Sequence, residues 1–196
     1  MAIDTKTIAA LRSQTGAGLA DCKKALEEVG GDMDKAVEAL RKSGAAKAAK
    51  KSAERTTKAG LVGSYIHGEG RIGALVKVAC ETDFVAKNDD FKELVTEVAM
   101  QVAAMAPQYV SPENIPEDVI LKEKEIYSEQ LKAEGKPENI WEKIIEGKLK
   151  KFYEDVCLLN QTYMKDDSKT INDLVAEAIA KTGEKIEVIE IARFQV

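Results

Sequence analysis

His67 is the only histidine in the 196-residue chain, and this limits the chemistry that its side chains can perform. Nucleophilic triads and most catalytic zinc sites use histidine, so such a site would have to include His67. The residue lies at a turn between two strand-like segments, which favours an exposed turn residue or a contact with a partner over a general base. The spacing of Cys22, Cys80 and Cys157 fits neither a disulfide framework nor a zinc motif.

A glycine-rich stretch at residues 68–73, GEGRIG, matches the G-x-G-x-x-G pattern of dinucleotide-binding loops. That pattern binds a pyrophosphate only where a strand turns into a helix, because the helix N-terminus supplies the amide donors. Residues 61–67 and 71–80 on its two sides have the alternation of strands. We therefore interpret GEGRIG as a hairpin turn. The chain also lacks the G-x-x-x-x-G-K-[ST] pattern of P-loop nucleotide hydrolases.

Residues 81–88, ETDFVAKN, place a carboxylate beside a large aromatic side chain where a buried strand ends and a helix is about to begin. Thr82 or Asp83 could simply cap that helix. Phe84, directly after the cap, has no clear direction toward a core. A carboxylate beside an aromatic side chain at a rigid position is also suited to binding in a pocket of another protein. Local rules leave both interpretations open.

The elements that must position these residues begin with a small helical unit. Residues 1–44 predict a bundle of three short helices. The apolar stripes of the three helices are Ile8 and Leu11; Leu19, Cys22, Leu26 and Val29; and Met33, Ala36, Val37 and Leu40. Residues 45–59 are rich in alanine and lysine with almost no large apolar side chain, so they predict a helical linker.

Residues 60–196 predict an α+β core domain, which sets the fold class of the chain. A small antiparallel sheet, built from the hairpin and a last strand at 185–196, packs with helices at 88–106 and 170–182. Thr170 and Asp173 form a capping box at the start of the second of these helices. Two charged segments at about 117–154 predict a helical hairpin.

Charge and hydropathy limit the partners and the cellular compartment that the sequence predicts. Residues 41–58 hold seven Lys or Arg against one Glu, which could contact a phosphate backbone or an acidic protein, or form the solvated face of a helix. The isoelectric point near 5.2 argues against a nucleic-acid binder. The longest apolar run has five residues where a membrane span needs about 20, and residues 1–30 lack the apolar core of a signal peptide. We expect a cytoplasmic protein without direct contact to nucleic acid or membrane.

Several of these segments resemble motifs of the elongation factor Ts family of translation factors. The N-terminal signature of that family is similar to TGAGLADCKKAL at 15–26 and to RKSGA at 41–45, which runs into the lysines at 50–51. The core motif of the family resembles TDFVAKN at 82–88, and SYIHG at 64–68 and EGKLKKF at 146–152 also match. The resemblance covers nearly the whole chain.

The resemblance implies a guanine-nucleotide exchange factor for the GTPase elongation factor Tu, with no covalent chemistry and no cofactor. Family members bind the GDP complex, and the Asp-Phe pair of their core motif inserts between two helices of the GTPase and disturbs its magnesium site. Carried over, Asp83 and Phe84 perform this step, with Thr82 and Val85 as their frame. The resemblance also places the His67 hairpin against the GTPase. The N-terminal bundle would dock there through Gly16, Ala17, Gly18, Asp21, Lys23 and Lys24.

The chain differs from the longer members of the family because it has one core where they have two. It resembles the short type, whose members pair as homodimers through the core. The last strand carries Ile186 and Val188 on one face and Ile189 and Ile191 on the other, a pattern typical of a strand covered on both sides. Helices of the same chain could also cover both faces. A further departure is QTYMK at 161–165, with Thr and Tyr where the family pattern has Pro and Phe.

Two interpretations of other classes remain open on the residues alone. The N-terminal bundle is expected to be ubiquitin-associated-like, and such a bundle could belong to an adaptor with no exchange activity. Residues 41–58 could belong to a nucleic-acid binder, although the overall charge argues against it. The TDF sequence at 82–84 separates the exchange factor from the adaptor, because an adaptor has no use for it.

Overall fold

A computed structural model of the protein describes residues 3–15 and 17–196, and for residues 44–54 it describes the backbone without the side chains. Gly16, predicted to contact the partner, therefore lies outside the described residues. The part described is a mixture of helices and small antiparallel sheets, which confirms the predicted α+β class.

Three helices lie at the N-terminal end: α1 Thr5–Thr15, α2 Leu19–Glu28 and α3 Met33–Glu54. Asp32 caps α3, where its side chain accepts a hydrogen bond from the Lys35 amide at 3.1 Å. The helices enclose an apolar cluster of their own, formed by Ile8, Leu11, Cys22, Ala25, Leu26 and Ala36. α3 is one continuous helix, so the third helix of the predicted bundle and the predicted linker up to Glu54 form a single rod.

The remaining chain forms five strands: β1 Ala59–His67, β2 Ile72–Cys80, β3 Thr162–Tyr163, β4 Asp166–Thr170 and β5 Ile186–Gln195. β2 lies in the centre of a three-stranded antiparallel sheet with β1 and β5 at its edges, and β3 pairs with β4 in a separate small hairpin. Ala59 pairs with Cys80 and His67 with Ile72, so the turn at 68–71 closes one end of β1 and β2.

Five helices accompany the strands: α4 Asp83–Ala86, α5 Asp89–Met105, α6 Glu117–Ala133, α7 Trp141–Val156 and α8 Ile171–Thr182. Single 3₁₀ turns lie at Pro112–Asn114, Glu138–Ile140 and Leu158–Asn160. α6 and α7 pack against each other as a hairpin, joined by a hydrogen bond from the Lys148 ammonium to Gln130 at 2.8 Å. α8 begins with the predicted capping box of Thr170 and Asp173.

The main core lies between the sheet and α5. Alternate residues of β2 are buried against one face of α5, as the period-two pattern predicts. Gly63 of β1 lets the helix approach closely, because a Cβ at this position would lie 2.3 Å from Val95 Cγ1. The buried apolar residues on β2 and α5 are Ala74, Val76, Val78, Cys80, Phe91, Leu94, Val95, Val98, Ala99, Val102 and Ala103.

A bulge in β5 overturns one prediction about the last strand. Lys77 pairs with Glu190 and Val78 pairs with Val188, so Ile189 is an extra residue without a partner on β2. The extra residue reverses the alternation beyond it. Ile191 therefore lies on the same face as Ile186 and packs against the core, and the prediction that Ile191 shares the opposite face with Ile189 is wrong.

α3 also contacts the larger unit, through α8. The Arg41 guanidinium donates a hydrogen bond to the Ser168 carbonyl at 3.2 Å and lies 3.8 Å from the Asp173 carboxylate. Beside this contact, Leu40 of α3 and Ala176 of α8 line opposite sides of a groove. The N-terminal helices are therefore joined to the larger unit by the polar contacts of Arg41 and by the packing of α3 against α8.

Candidate functional site

Residues 81–88 connect β2 to α5 and are referred to below as the tip. The tip contains α4, a helix of only one turn; Thr82 caps its start, and Asn88, just after its end, caps the start of α5. The Thr82 hydroxyl accepts a hydrogen bond from the Val85 amide at 3.4 Å. The Asn88 side chain accepts one from the Asp90 amide at 3.0 Å and starts α5. Thr82 is therefore a capping residue, as one of the two open interpretations predicted.

The side chains of α4 point in opposite directions. Val85 and Ala86 are buried in the main core, with exposed fractions of 5% and 4%. Phe84, between Asp83 and Val85, is 83% exposed, and Asp83 is also exposed. The buried pair fixes the turn to the sheet, and the same geometry leaves a carboxylate and a phenyl ring in solvent. In the tip, Thr82 therefore caps the turn, and the apolar side chain of Phe84 is exposed and packs against no core.

A second loop supports the tip from the side. Glu184 follows α8, and one of its carboxylate oxygens accepts hydrogen bonds from the amides of Glu81 at 3.2 Å and Thr82 at 3.0 Å. Its other oxygen accepts a hydrogen bond from the Thr82 hydroxyl at 2.7 Å. Burial raises the pKa of the nearby Cys80 thiol above its ordinary value, and the Glu184 carboxylate adds to this shift. Sequence analysis did not identify Glu184, because this contact joins positions about 100 residues apart.

Glu81 makes the reverse connection from the tip to the second loop. Its carboxylate accepts a hydrogen bond from the Lys185 amide at 2.6 Å. The Arg55 guanidinium, directly after α3, donates to the same carboxylate at 3.1 Å and to the Gly183 carbonyl at 3.3 Å. The tip, the loop after α8 and the end of α3 therefore meet in one polar network.

His67 lies at the other end of the sheet from the tip. It pairs with Ile72, whereas the tip follows Cys80, so the length of β2 separates them by about 27 Å at 3.4 Å per residue. The His67 ring is exposed and stacks on Tyr65, whose hydroxyl lies 3.3 Å from the His67 Nδ1. The structure therefore does not bring His67 and Phe84 together.

The other predicted contact residues lie around the start of α2. Gly18 is the N-cap of the helix, Ala17 precedes it and Asp21 lies in its first turn. Lys23 and Lys24 are exposed and pair with glutamates one turn later at 3.8 Å. Exposed pairs of this kind contribute little to stability, so both ammonium groups are accessible for a partner.

Leu19 is a surface residue that sequence analysis placed on the apolar stripe of the second helix. Its exposed fraction is 58%, so the prediction that it belongs to the apolar stripe of α2 is wrong. Cys22, Ala25 and Leu26 fill the cluster on the following turns, which leaves the first residue of the helix outside it. The signal that could have identified it is its place at a helix start, next to glycine and alanine.

The outer face of the sheet, opposite α5, is apolar and exposed. Its large side chains come from all three strands and are Val62, Ile66, Leu75 and Phe194. Near the tip, an open groove of about 560 Å³ runs along this face and is lined by Val62, Lys77, Asp83 and Ile189, among others. No element of the described chain covers these residues.

Two kinds of feature are absent from the described part of the chain, a cluster of metal ligands and a membrane-spanning helix. Among the side chains that the structure describes, those of residues 3–15, 17–43 and 55–196, no group of three or more His, Cys, Asp or Glu could hold a metal ion. Within the same ranges, no helix has both the length and the apolar character to cross a membrane.

Comparison with known proteins identifies the relatives of this chain. Residues 7–196 match the family described as Elongation factor TS. The chain is 59% identical over 196 residues to Elongation factor Ts of Thermotoga petrophila, which covers 100% of this chain and 97% of that protein. It is 57% identical over 189 residues to Elongation factor Ts of Moorella thermoacetica, covering 96% and 93% of the two chains. With a family match and full-length identity of this size, the chain belongs to the elongation factor Ts family.

Proposed function

We propose that the protein is the guanine-nucleotide exchange factor for elongation factor Tu. It binds the GDP complex of the GTPase, disturbs the magnesium site, promotes release of GDP and remains bound until GTP enters. The single observation that supports this most strongly is the exposed Phe84 on a fixed one-turn helix. An exposed phenyl ring adds nothing to the stability of the fold, and on a fixed turn it is suited to anchoring in a pocket of a partner.

The proposed mechanism uses Asp83 and Phe84 together. Phe84 inserts between two helices of the GTPase, and Asp83 brings a negative charge beside the insertion point. Thr82 and Val85 hold the turn that carries them, by the cap and by burial. Because GDP and Mg²⁺ support each other's binding, a displacement that weakens one weakens both. By linkage, nucleotide and exchange factor then lower each other's affinity for the GTPase by the same factor.

The N-terminal helices supply a separate docking surface. Its proposed members are Ala17, Gly18, Asp21, Lys23 and Lys24, with Gly16 outside the described residues, and Leu19 joins them because of its exposure. The bundle is expected to be ubiquitin-associated-like and to act without any catalytic group. His67, at the far end of the sheet, provides a further contact with the GTPase. No cofactor and no covalent step enter this mechanism.

We also propose that two copies of the chain pair through the outer face of the sheet. This face carries exposed apolar side chains from three strands, and β1 and β5 leave two edges unpaired within the described chain. An uncovered sheet of this kind favours association with another surface. A two-fold axis would bring the same face of each copy together in a self-complementary contact. The translation factor would then act in the cytoplasm as a homodimer.

The experiment that tests the exchange function is release of labelled GDP from elongation factor Tu, chased with excess unlabelled nucleotide, with and without this protein. An exchange factor accelerates the release in proportion to its concentration until the GTPase is saturated. An adaptor built on the same N-terminal bundle would bind the GTPase and leave the release rate unchanged. Binding without acceleration would therefore contradict the proposal.

A further inference from the structure

The support for the tip raises a question that the exchange mechanism leaves open. α4 has four residues, and a helix of this length does not form on its own in water. Burial of Val85 and Ala86 fixes one side of the turn, but Thr82, Asp83 and Phe84 are exposed. Contacts outside the turn must therefore hold its first residues in one conformation.

We propose that Glu184 is a positioning residue for exchange, which holds the tip so that Phe84 is presented in one orientation. The proposal rests on the exchange function proposed above. Glu184 uses both carboxylate oxygens on the tip, and the two backbone amides and one hydroxyl that it binds belong to Glu81 and Thr82. These residues directly precede Asp83 and Phe84. Hydrogen bonds to an ionised carboxylate are shorter and stronger than neutral ones, which suits them to fixing an exposed loop.

The chain around Glu184 is built to place its carboxylate at the tip. Gly183, at the end of α8, has φ 76°, a left-handed conformation that glycine adopts without strain. The turn at Gly183 sends Glu184 and Lys185 toward the end of β2. The Glu81 carboxylate then accepts the Lys185 amide at 2.6 Å, so each of the two loops binds backbone of the other.

Arg55 connects this pair of loops to the N-terminal helices. Its guanidinium bridges the Glu81 carboxylate and the Gly183 carbonyl directly after the last turn of α3. α3, which is part of the docking bundle, is therefore hydrogen-bonded through Arg55 to the loops that hold the tip. Two contact surfaces held at a fixed separation bind one partner without a further ordering cost, which is why the position of the tip matters for exchange.

Replacement of Glu184 is expected to affect the local stability of the tip and not the stability of the whole fold. Thr82 is exposed, so its amide and hydroxyl can bond to water when Glu184 is replaced. Loss of the carboxylate should therefore increase opening of the tip and leave global unfolding nearly unchanged. A purely structural role would instead appear as a lower melting temperature with the tip as protected as before.

The first measurement is amide hydrogen exchange of the free protein, which does not depend on any partner. In Glu184→Ala, the amides of Ala86 and Lys87, which donate to the carbonyls of Thr82 and Asp83, should exchange at least about tenfold faster, and amides of β2 should not change. The matched control is Glu187→Ala, three residues later, because the Glu187 carboxylate binds the Thr57 hydroxyl at 3.1 Å and the Lys185 ammonium at 2.8 Å rather than the Thr82 amide and hydroxyl. Unchanged protection of Ala86 and Lys87 in Glu184→Ala would overturn the proposal.

The second measurement is the rate of GDP release at saturating concentrations of exchange factor. Glu184→Ala should slow it about tenfold, which corresponds to about 1.4 kcal/mol. Glu184→Gln should be intermediate, because its amide oxygen still accepts the Thr82 hydroxyl while its NH₂ group cannot accept the amides. In a Phe84→Ala background, Glu184→Ala should cause no further loss, since Glu184 acts through Phe84. If the losses caused by the two substitutions were independent and additive, the proposal would be overturned. If the wild-type protein did not accelerate GDP release from elongation factor Tu, the exchange function would be contradicted. The hydrogen-exchange result would then decide whether Glu184 holds the tip.

Discussion

Phe84 and Val85 are neighbours on α4, yet Phe84 is 83% exposed and Val85 is 5% exposed. The backbone of a single helical turn separates their side chains, so the same turn that inserts Val85 into the core directs Phe84 into solvent. Leaving a large apolar side chain in water forgoes about 1.5–3 kcal/mol of possible burial. In this arrangement the phenyl ring is available to a partner without any rearrangement of the core.

Gly63→Ala should destabilise the fold, because the new Cβ would lie 2.3 Å from Val95 Cγ1. Valine has a stiff χ1, so α5 or β1 must shift to make room. We expect a loss of about 1–3 kcal/mol in the free energy of unfolding, measured by denaturant titration with circular dichroism. The matched control is Gly147→Ala on α7, where a Cβ meets nothing within 4 Å and helix propensity favours alanine. Equal stability of Gly63→Ala and the wild type would contradict the close approach.

The three cysteine thiols should be unreactive in the folded protein. Cys22, Cys80 and Cys157 are buried, and burial raises the pKa of Cys157 to about 11, with a smaller contribution from Glu113. A raised thiol pKa lowers the thiolate fraction, so at pH 8 only about a thousandth of Cys157 is thiolate. Dithionitrobenzoate at pH 8 should react slowly with native protein and rapidly with all three thiols in guanidinium chloride. A fast-reacting thiol in the native state would contradict this account of the core.

Leu19→Ala should weaken binding to the GDP complex of elongation factor Tu. Burial of a leucine side chain contributes about 1.5–3 kcal/mol, so we expect the Kd to rise at least about tenfold in titration calorimetry. Leu121→Ala on α6 is the matched control, because the exposed fractions of Leu121 and Leu19 are nearly the same, 57% and 58%. Both variants should melt like the wild type. Equal affinities of the two variants would exclude Leu19 from the docking surface.

The proposed homodimer should dissociate when charge is placed on the outer face of the sheet. Light scattering of the wild type under reducing conditions should give about twice 21.4 kDa. Leu75→Glu, in the middle of this face, should give a mass near 21.4 kDa, because an unpaired carboxylate would be buried in the contact. Leu121→Glu should remain dimeric. A wild-type monomer at concentrations of roughly 50 µM would overturn the dimer and leave the exchange mechanism untouched.

The parts of the fold that the sequence predicted correctly depend on neighbouring residues. The alternation along β2 and the Thr170–Asp173 capping box are determined within a few positions, and both are present. Ile191 was misplaced because the bulge at Ile189 depends on pairing with β2. The β3–β4 hairpin was missed because its strands are short, and β4 is polar over most of its length, so neither has a period-two apolar pattern.

In the candidate site, too, the features set by neighbouring residues were predicted and those set by distant contacts were not. The exposure of Phe84 was anticipated from its place after a cap, where no core direction was available. The role of Glu184 was not anticipated, because its contact with Thr82 joins positions about 100 residues apart. A lone glutamate after a helix also has no distinguishing sequence pattern. Leu19 was placed on the buried stripe of α2 with Cys22 and Leu26, because helical periodicity alone cannot tell which end of a stripe the other helices cover.

The central claim is that Phe84 drives nucleotide release, and the most direct measurement is GDP dissociation from elongation factor Tu at saturating concentrations of wild type and of Phe84→Ala. A central aromatic anchor contributes about 2–4 kcal/mol, so the variant should slow stimulated release by roughly 30-fold or more. Its melting curve should match that of the wild type because the side chain is exposed, whereas Val85→Ala, the buried neighbour, should melt at a lower temperature. A folded Phe84→Ala protein that releases GDP at nearly the wild-type rate would contradict the claim.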